Sequence, residues 1–219
     1  MQQVEVSDRT SIERVSRGLA TCVAFFDRIG LPWGWKRGAD GFLERVEIAQ
    51  GTLLLDPRVS VGSALHEAGH LALMPAAYRR QACGDLGQAM DAMFAEVDFS
   101  DPDTPLARAA NQCGDQEATA WAWAAGMHLG LEPHLVIRDA DYEGTGGLLR
   151  VGLKAGTHPG IHGLSHAGFC AVKAGEYATA RGLPAYPELA MWLQGAGGCD
   201  PKPIQGAKPI QGALAGENA

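Results

Sequence analysis

Several features that mark large protein classes are missing from this 219-residue chain. No run of about 18 apolar residues occurs, which argues against a membrane-spanning helix. The opening residues, MQQVEVSDRT, lack the basic and then apolar blocks of a secretory signal. The formal net charge is -7, so the overall balance does not favour a nucleic acid as a partner. We therefore expect a protein that uses neither a membrane nor a nucleic acid.

Cysteine is also used sparingly, and no CxxC spacing occurs. An odd number of scattered cysteines fits reduced thiols better than a disulfide framework, which predicts a cytoplasmic protein. The five cysteines are Cys22, Cys83, Cys113, Cys170 and Cys199.

The composition is that of an ordinary globular domain, with 46% hydrophobic and 20% charged residues. We expect one domain over residues 1–196. Residues 197–219 read as a flexible tail, because they contain KPIQGA twice in tandem and proline with glycine does not pack well. The sequence carries no signal for an oligomeric state.

Hydrophobic periodicity predicts a mostly helical α+β fold with a small sheet. The strands are expected at Phe42 to Ala49 and at Thr52 to Leu55, with the Gln50-Gly51 turn between them. The helices are expected at Asp8 to Ile29 with Ser7 as N-cap, at about Ser60 to Pro75, at Leu86 to Val97, at Leu106 to Leu129 and through Leu149 and Leu153. The segment THPGIHGLSHAGF leads into one more helix that reaches about Ala180, with a last turn or two between Tyr186 and Leu193.

The stretch HEAGH gives the clearest chemical signal. His66 and His70 are four residues apart, so on a helix they project from one face and can bind one zinc ion. Glu67 lies beside that face, where its carboxylate can act as the general base of a metal-dependent hydrolase. The small residues Ala68 and Gly69 let a neighbouring backbone approach the helix closely.

The alternative is a chance match, since HExxH arises in on the order of one chain in a hundred of this length. A helix with surface histidines and a glutamate needs no metal. However, the motif follows the hydrophobic strand TLLLD and occupies a helix with a plausible start and stop, which favours the zinc interpretation.

A catalytic zinc normally has three protein ligands and one open position. Glu117 is the best third ligand, because a carboxylate on a helix of small and aromatic residues is costly to bury without a positive partner. Alternatively, Glu117 belongs to a solvated stripe near the helix start with Asp115 and Gln116. The other downstream candidates are Asp115, Cys113, His128, His134, His158, His162 and His166.

A strand, HExxH on a helix, and then a helix carrying E-x-x-A-x-x-[FW]-A resemble the zincin-like metallopeptidases typified by ImmA and IrrE. The second motif corresponds here to Glu117, Ala120, Trp123 and Ala124. The resemblance covers roughly residues 40–130, with Trp121 at a position where the family tends to have asparagine.

This resemblance implies a zincin-like α+β fold with the small sheet packed on the HExxH helix. It implies that His66, His70 and Glu117 bind one zinc ion per chain and that Glu67 is the catalytic base. The chain is then expected to be a zinc metallopeptidase acting on a peptide or protein substrate. An edge strand of the sheet would hold that substrate by main-chain hydrogen bonds.

Other groups could donate a proton or a hydrogen bond to the reacting oxygen, and Tyr142, His162 and His166 are the candidates. Pro159, Gly160 and Gly163 argue against a regular helix through the histidine-rich stretch. Two alternative functions remain open: a zincin-like binding or regulatory protein that cleaves nothing, and a metal-dependent hydrolase of non-peptide amides.

Overall fold

A computed structural model of the chain describes residues 17–84 and 86–195. In these residues the fold is α+β and mostly helical, with a three-stranded mixed sheet packed against one central helix. The strands are β1 (Trp33–Trp35), β2 (Val46–Ala49) and β3 (Thr52–Leu55). The helices are α1 (17–29), α2 (Val61–Leu73), α3 (Ala76–Arg79), α4 (Gly87–Ala95), α5 (Pro105–Asn111), α6 (Asp115–His128), α7 (Pro133–Val136), α8 (Gly146–Ala155), α9 (Pro159–His166) and α10 (Glu176–Arg181), with a 3-10 turn at Asp139–Tyr142.

The sheet has the order β1-β3-β2, with β1 parallel and β2 antiparallel to the central strand β3. Gln50 and Gly51 both have positive φ, 48° and 72°, as a two-residue hairpin turn with right-handed twist requires. The hairpin and the strand Thr52–Leu55 are thus confirmed. The predicted strand from Phe42 begins only at Val46, because Arg45 has a φ of 68° and interrupts the extended backbone.

Strand β1 was not predicted from the sequence. It consists of only three residues, WGW, in a stretch rich in turn residues, so it gives no period-two signal. Pairing with β3 holds it in place, where Leu53 N–H donates to Pro32 C=O at 2.9 Å. A strand of this length depends on its neighbour and not on its own propensity.

Helix α2 lies at the centre of the core and carries HEAGH, as predicted. Ser60 caps its start, where the Ser60 hydroxyl accepts from Ser63 N–H at 2.9 Å. The helix ends before Pro75. Its terminal carbonyls are satisfied by the buried guanidinium of Arg79, which donates to Leu71 C=O and Met74 C=O at 2.6 and 2.9 Å.

The long helix predicted from Leu106 to Leu129 is wrong, because the chain breaks it into α5 and α6. Gly114, the N-cap of α6, is extended with φ −78° and ψ 177°. The preceding carbonyl, that of Cys113, faces the ring of His70 instead of continuing the helical ladder. The break makes Asp115 the first residue of a new helix.

Helices α2 and α6 cross at very close range. A Cβ on Gly69 would lie 2.8 Å from Ala118 C=O, so only glycine fits there. The expectation that the small residues of HEAGH admit a neighbouring backbone is confirmed. This contact fixes the spacing of the two helices that carry the site.

The histidine-rich stretch forms a regular helix, α9, which corrects the expectation of irregular structure. Pro159 is tolerated because it stands in the first turn, and His158 caps the helix by accepting from Gly160 N–H at 3.2 Å. Gly160 and Gly163 lie directly against the start of α6, where a Cβ would collide with Gln116 C=O and with the Glu117 side chain. The glycines therefore serve helix packing.

The end of the described chain differs from the prediction as well. One helix reaching Ala180 was expected, but α9 ends at His166 and the short α10 begins at Glu176. Turns and bends replace the predicted helical turns at 186–193. Trp192 C=O accepts from the indole of Trp121 on α6 at 3.1 Å, and Gln194 N–H donates to Ala72 C=O on α2 at 2.8 Å.

Several sequence expectations lie outside the described residues: the Ser7 cap, the start of the first helix, Cys199 and the repeated KPIQGA segment. The other four cysteines are free thiols. Within 17–84 and 86–195, none of the helices combines the length and the apolarity that a membrane crossing needs.

Candidate metal centre

The two histidines of HEAGH present the same ring nitrogen to the same point. Both His66 and His70 are buried on α2, and their Nε2 atoms lie 3.2 Å apart. Four residues of helix carry the chain slightly more than one turn, which places the second ring directly over the first.

Asp115, at the start of α6, completes a three-residue group. Its Oδ1 atom lies 3.1 Å from His70 Nε2 and 3.7 Å from His66 Nε2. Among the described residues, these three are the histidine, cysteine or acidic side chains whose possible ligand atoms all lie within 4.8 Å of one another. Around a tetrahedral zinc with bonds of about 2.0–2.1 Å, ligand atoms are roughly 3.3 Å apart, so the residues present fit such an ion.

The second nitrogen of each ring, Nδ1, also faces a hydrogen-bonding partner. His70 Nδ1 lies 3.2 Å from Cys113 C=O, and His66 Nδ1 lies 3.3 Å from the Thr119 hydroxyl. Metal-binding histidines in proteins nearly always have such a partner on the second nitrogen, which fixes the orientation of the ring. Neither partner was identified from the sequence, because a backbone carbonyl and a threonine 53 residues away leave no spacing signal.

Glu67 is buried beside the histidines. Its side chain is 5% exposed, and its Oε1 atom has no hydrogen-bond partner. Burial raises the pKa of the Glu67 carboxyl, while the nearby rings of His70 and His66 act in the opposite direction. An unpartnered carboxylate oxygen in such a place is costly.

The side chains of Asp115 and His70 shift each other's pKa values towards the charged forms. Hydrogen bonds from His66 and His70 hold the pKa of Asp115 well below its usual range. Burial acts to lower the pKa of His70, but the hydrogen bond to Asp115 and the charge of Glu67 outweigh it, so that the pKa is raised. The two acidic side chains thus provide the negative charge that a bound cation needs.

Glu117, the predicted third ligand, lies outside this converging group. Its carboxylate accepts from the backbone N–H groups of Glu117 itself and of Gly114, as the glutamate of a capping box does. At roughly 100° per residue it lies about 200° around α6 from Asp115, facing α9. It is half-buried, and burial raises its pKa.

The sequence argument considered Asp115 but preferred Glu117, because a carboxylate on a helix of small and aromatic residues is costly to bury without a positive partner. In the fold, Asp115 is the first residue of α6 and lies against the histidines of α2. The role of Glu117 as a ligand stays a prediction, which a direct comparison of the two carboxylates can test.

A cleft of about 430 Å³ opens next to the histidines. Tyr142, one of the predicted donors, lines it and is half-buried. Burial raises the pKa of Tyr142, while hydrogen bonding with Thr119 acts to lower it. The rim carries the exposed ring of Phe42. The remaining lining residues are Leu43, Glu44, Arg45, Arg58, Ser60, Gly62, Ser63, His66, Asp115, Thr119, Val136, Arg138 and Asp141.

The other two predicted donors lie on α9 and are exposed. His166 Nδ1 is 3.4 Å from the amide nitrogen of Gln112, and its Nε2 is 3.8 Å from Asp103. Neither His162 nor His166 is among the described residues that line the cleft. Their predicted role therefore has no geometric support.

No protein-family model matches the chain, and neither a curated protein nor a solved structure shows significant similarity to it. The chemical interpretation therefore rests on the site itself.

Proposed function

We propose that this chain is a zinc-dependent metallopeptidase of zincin-like fold. The observation that carries the proposal is the convergence of His66 Nε2, His70 Nε2 and Asp115 Oδ1, with both histidine rings held from behind. These three residues would hold one zinc ion per chain. Two imidazoles with one carboxylate form a common ligand set of catalytic zinc, which keeps the fourth position open.

Bound zinc polarises a carbonyl oxygen and lowers the pKa of water from 15.7 to about 7. Glu67 is the residue that takes a proton from the attacking water. It follows His66 directly on α2 and is not needed as a ligand, and its Oε1 atom is free to accept. The same carboxyl can then return the proton to the leaving amine.

Tyr142 is our choice as hydrogen-bond donor to the oxygen of the carbonyl under attack. It lies in the wall of the cleft that opens at His66, and its hydroxyl is the only phenol among the lining residues. A donor aimed at the developing negative charge contributes about 2.7–4 kcal/mol in comparable hydrolases. Neither His162 nor His166 offers the same placement.

A second candidate is the hydrolysis of a small non-peptide amide. It is favoured by the outer edge of strand β2, where backbone groups already form hydrogen bonds. Val46 N–H donates to Leu43 C=O, and Ile48 C=O accepts from Gly84 N–H, all outside the sheet. An extended peptide that added to this edge would have to displace those bonds. The expectation that an edge strand holds an extended substrate is therefore weakened at β2, one of the two edge strands, and a compact substrate within the cleft needs no such displacement.

The first experiment measures bound zinc per chain by elemental analysis in the wild type and in His66→Ala, Asp115→Asn and Glu117→Gln. We expect about one zinc in the wild type, none in His66→Ala, little in Asp115→Asn and a full complement in Glu117→Gln. Loss of zinc from Glu117→Gln with retention in Asp115→Asn would instead assign the third ligand to Glu117. A wild type that binds no zinc refutes the proposal.

The second experiment tests catalysis with a quenched fluorescent peptide library and with simple acyl amides. Glu67→Gln is nearly isosteric and lies outside the ligand group, so we expect it to keep zinc and lose turnover by at least about a hundredfold. Turnover of amides alone favours the second candidate. Full activity in Glu67→Gln would refute the assignment of the base.

A further inference from the structure

The two histidines differ in the chemistry of the atom behind each ring. The partner of His70 Nδ1 is the carbonyl of Cys113, which can only accept a hydrogen bond. The partner of His66 Nδ1 is the hydroxyl of Thr119, which can donate or accept. The Cys113 carbonyl can thus pair only with an Nδ1–H of His70, while the Thr119 hydroxyl can pair with either form of the His66 ring.

The Nε2 atoms of both rings face the same acceptor. Asp115 Oδ1 lies 3.1 Å from His70 Nε2 and 3.7 Å from His66 Nε2, and the two Nε2 atoms are 3.2 Å apart. Without a metal, a hydrogen on Nε2 is therefore favourable at either ring, because a carboxylate can only accept.

Metal binding requires one particular position of the hydrogen on the His66 ring. A zinc ligand offers the Nε2 lone pair, so the ring hydrogen must lie on Nδ1 and needs an acceptor. The Thr119 hydroxyl can rotate to accept it. Tyr142 lies beside Thr119, and its hydroxyl oxygen can then accept the hydrogen bond that the rotated Thr119 hydroxyl donates.

Thr119 is well placed for this purpose. Its side chain is 4% exposed, so water does not readily replace it. It is four residues after Asp115 on α6 and adjacent to Ala118, at the close crossing with Gly69. The hydroxyl is therefore held against His66 by the same packing that brings Asp115 to the histidines.

We propose that Thr119 is a positioning residue that holds His66 in the metal-binding tautomer by accepting its Nδ1–H, as the Cys113 carbonyl does for His70. This inference rests on the proposed metal site and adds a specific role for a residue that does not touch the metal. The nearly isosteric Thr119→Val variant leaves the buried Nδ1–H of metal-bound His66 without an acceptor. Loss of such a partner typically weakens metal binding by about 10–100-fold.

The affinity test uses the full-length protein and competition between it and a chromophoric zinc chelator. We expect Thr119→Val to bind zinc about 10–100-fold more weakly, and Thr119→Ser, which keeps the hydroxyl, to recover most of the loss. Thr21→Val is the matched control, because the Thr21 hydroxyl donates to Arg17 C=O on α1, a helix that carries none of the three candidate ligands. Wild-type affinity in Thr119→Val, or equal weakening in Thr119→Ser, overturns the inference.

A second measurement needs no variant. Long-range ¹H–¹⁵N NMR spectra distinguish the two neutral tautomers of each histidine ring. In the zinc-loaded protein we expect both His66 and His70 in the Nδ1–H form, bound through Nε2. His66 in the Nε2–H form with zinc bound overturns the inference while leaving the metal site intact. A wild type that takes up no zinc overturns the metal site itself.

Discussion

Replacing Gly69 by alanine tests how strongly the site depends on the spacing of α2 and α6. The added Cβ would lie 2.8 Å from Ala118 C=O and 3.1 Å from Ala118 Cα. Both partners are backbone atoms, so no side-chain rotation relieves the contact. Ordinary van der Waals contact begins at 3.4 Å, and the helices must therefore separate by about 0.6 Å at the crossing.

A separation of this size affects stability and metal binding differently. Overpacking typically costs about 1–3 kcal/mol of unfolding free energy, offset by up to about 1 kcal/mol from the better helix propensity of alanine. The histidines are on α2 and Asp115 is on α6, so the separation changes the ligand distances directly. Metal sites hold these distances within about 0.2 Å, and we expect zinc affinity to fall at least about tenfold.

The assays are urea unfolding of the metal-free protein and zinc competition with a chelator. Gly152→Ala on α8 is the matched control, since its nearest neighbour would be the Thr157 hydroxyl at an ordinary 3.7 Å. The control should gain about 0.5–1 kcal/mol of stability and bind zinc like the wild type. If Gly69→Ala matched the wild type in both assays, the close crossing of α2 and α6 would be wrong.

Two further predictions concern stability. Arg79→Met leaves the carbonyls of Leu71, Met74 and Gln194 without their donor, so urea unfolding should show a loss of roughly 2–4 kcal/mol. The neighbouring Arg80 is exposed, and Arg80→Met should stay within about 0.5 kcal/mol of the wild type, so equal losses in the two variants would refute this reasoning. Hydrogen bonds from Arg58 and Gly38 hold the pKa of Asp56 well below its usual range, so its stabilisation is present above about pH 4 and is lost as the pH falls. Asp56→Asn should therefore lower the melting temperature at pH 7 more than at pH 3, and an equal decrease at both pH values would contradict that assignment.

The local signals in the sequence were sufficient for the central helix. Ser60, the HEAGH spacing and Pro75 act within a few residues of one another, and the structure has α2 where they predict it. The Gln50-Gly51 hairpin was predictable for the same reason. In each case the residues that determine the structure are neighbours along the chain.

The parts that could not be predicted depend on contacts between distant segments. The break before Asp115 involves a bond from the ring of His70, 43 residues earlier, to Cys113 C=O. Gly160 and Gly163 weakened the helical pattern of α9 in the sequence, yet in the fold they permit its contact with α6. Both Asp115 and Glu117 are acidic residues at the start of one alanine-rich helix, and only the crossing of α2 and α6 shows which carboxylate converges with the histidines.

The last residues of the described chain connect both helices that carry the site. Trp192 accepts from Trp121 on α6, and Gln194 bonds to Ala72 on α2 and to Arg79 beside the end of that helix. The three residues of the candidate site all lie before residue 120, but Trp192 and Gln194, more than 70 positions later, bond to the two helices that carry them. During synthesis on the ribosome, the three residues therefore emerge well before these bonds can form, and a chain cut before Trp192 would contain all three without the segment that bonds to both helices.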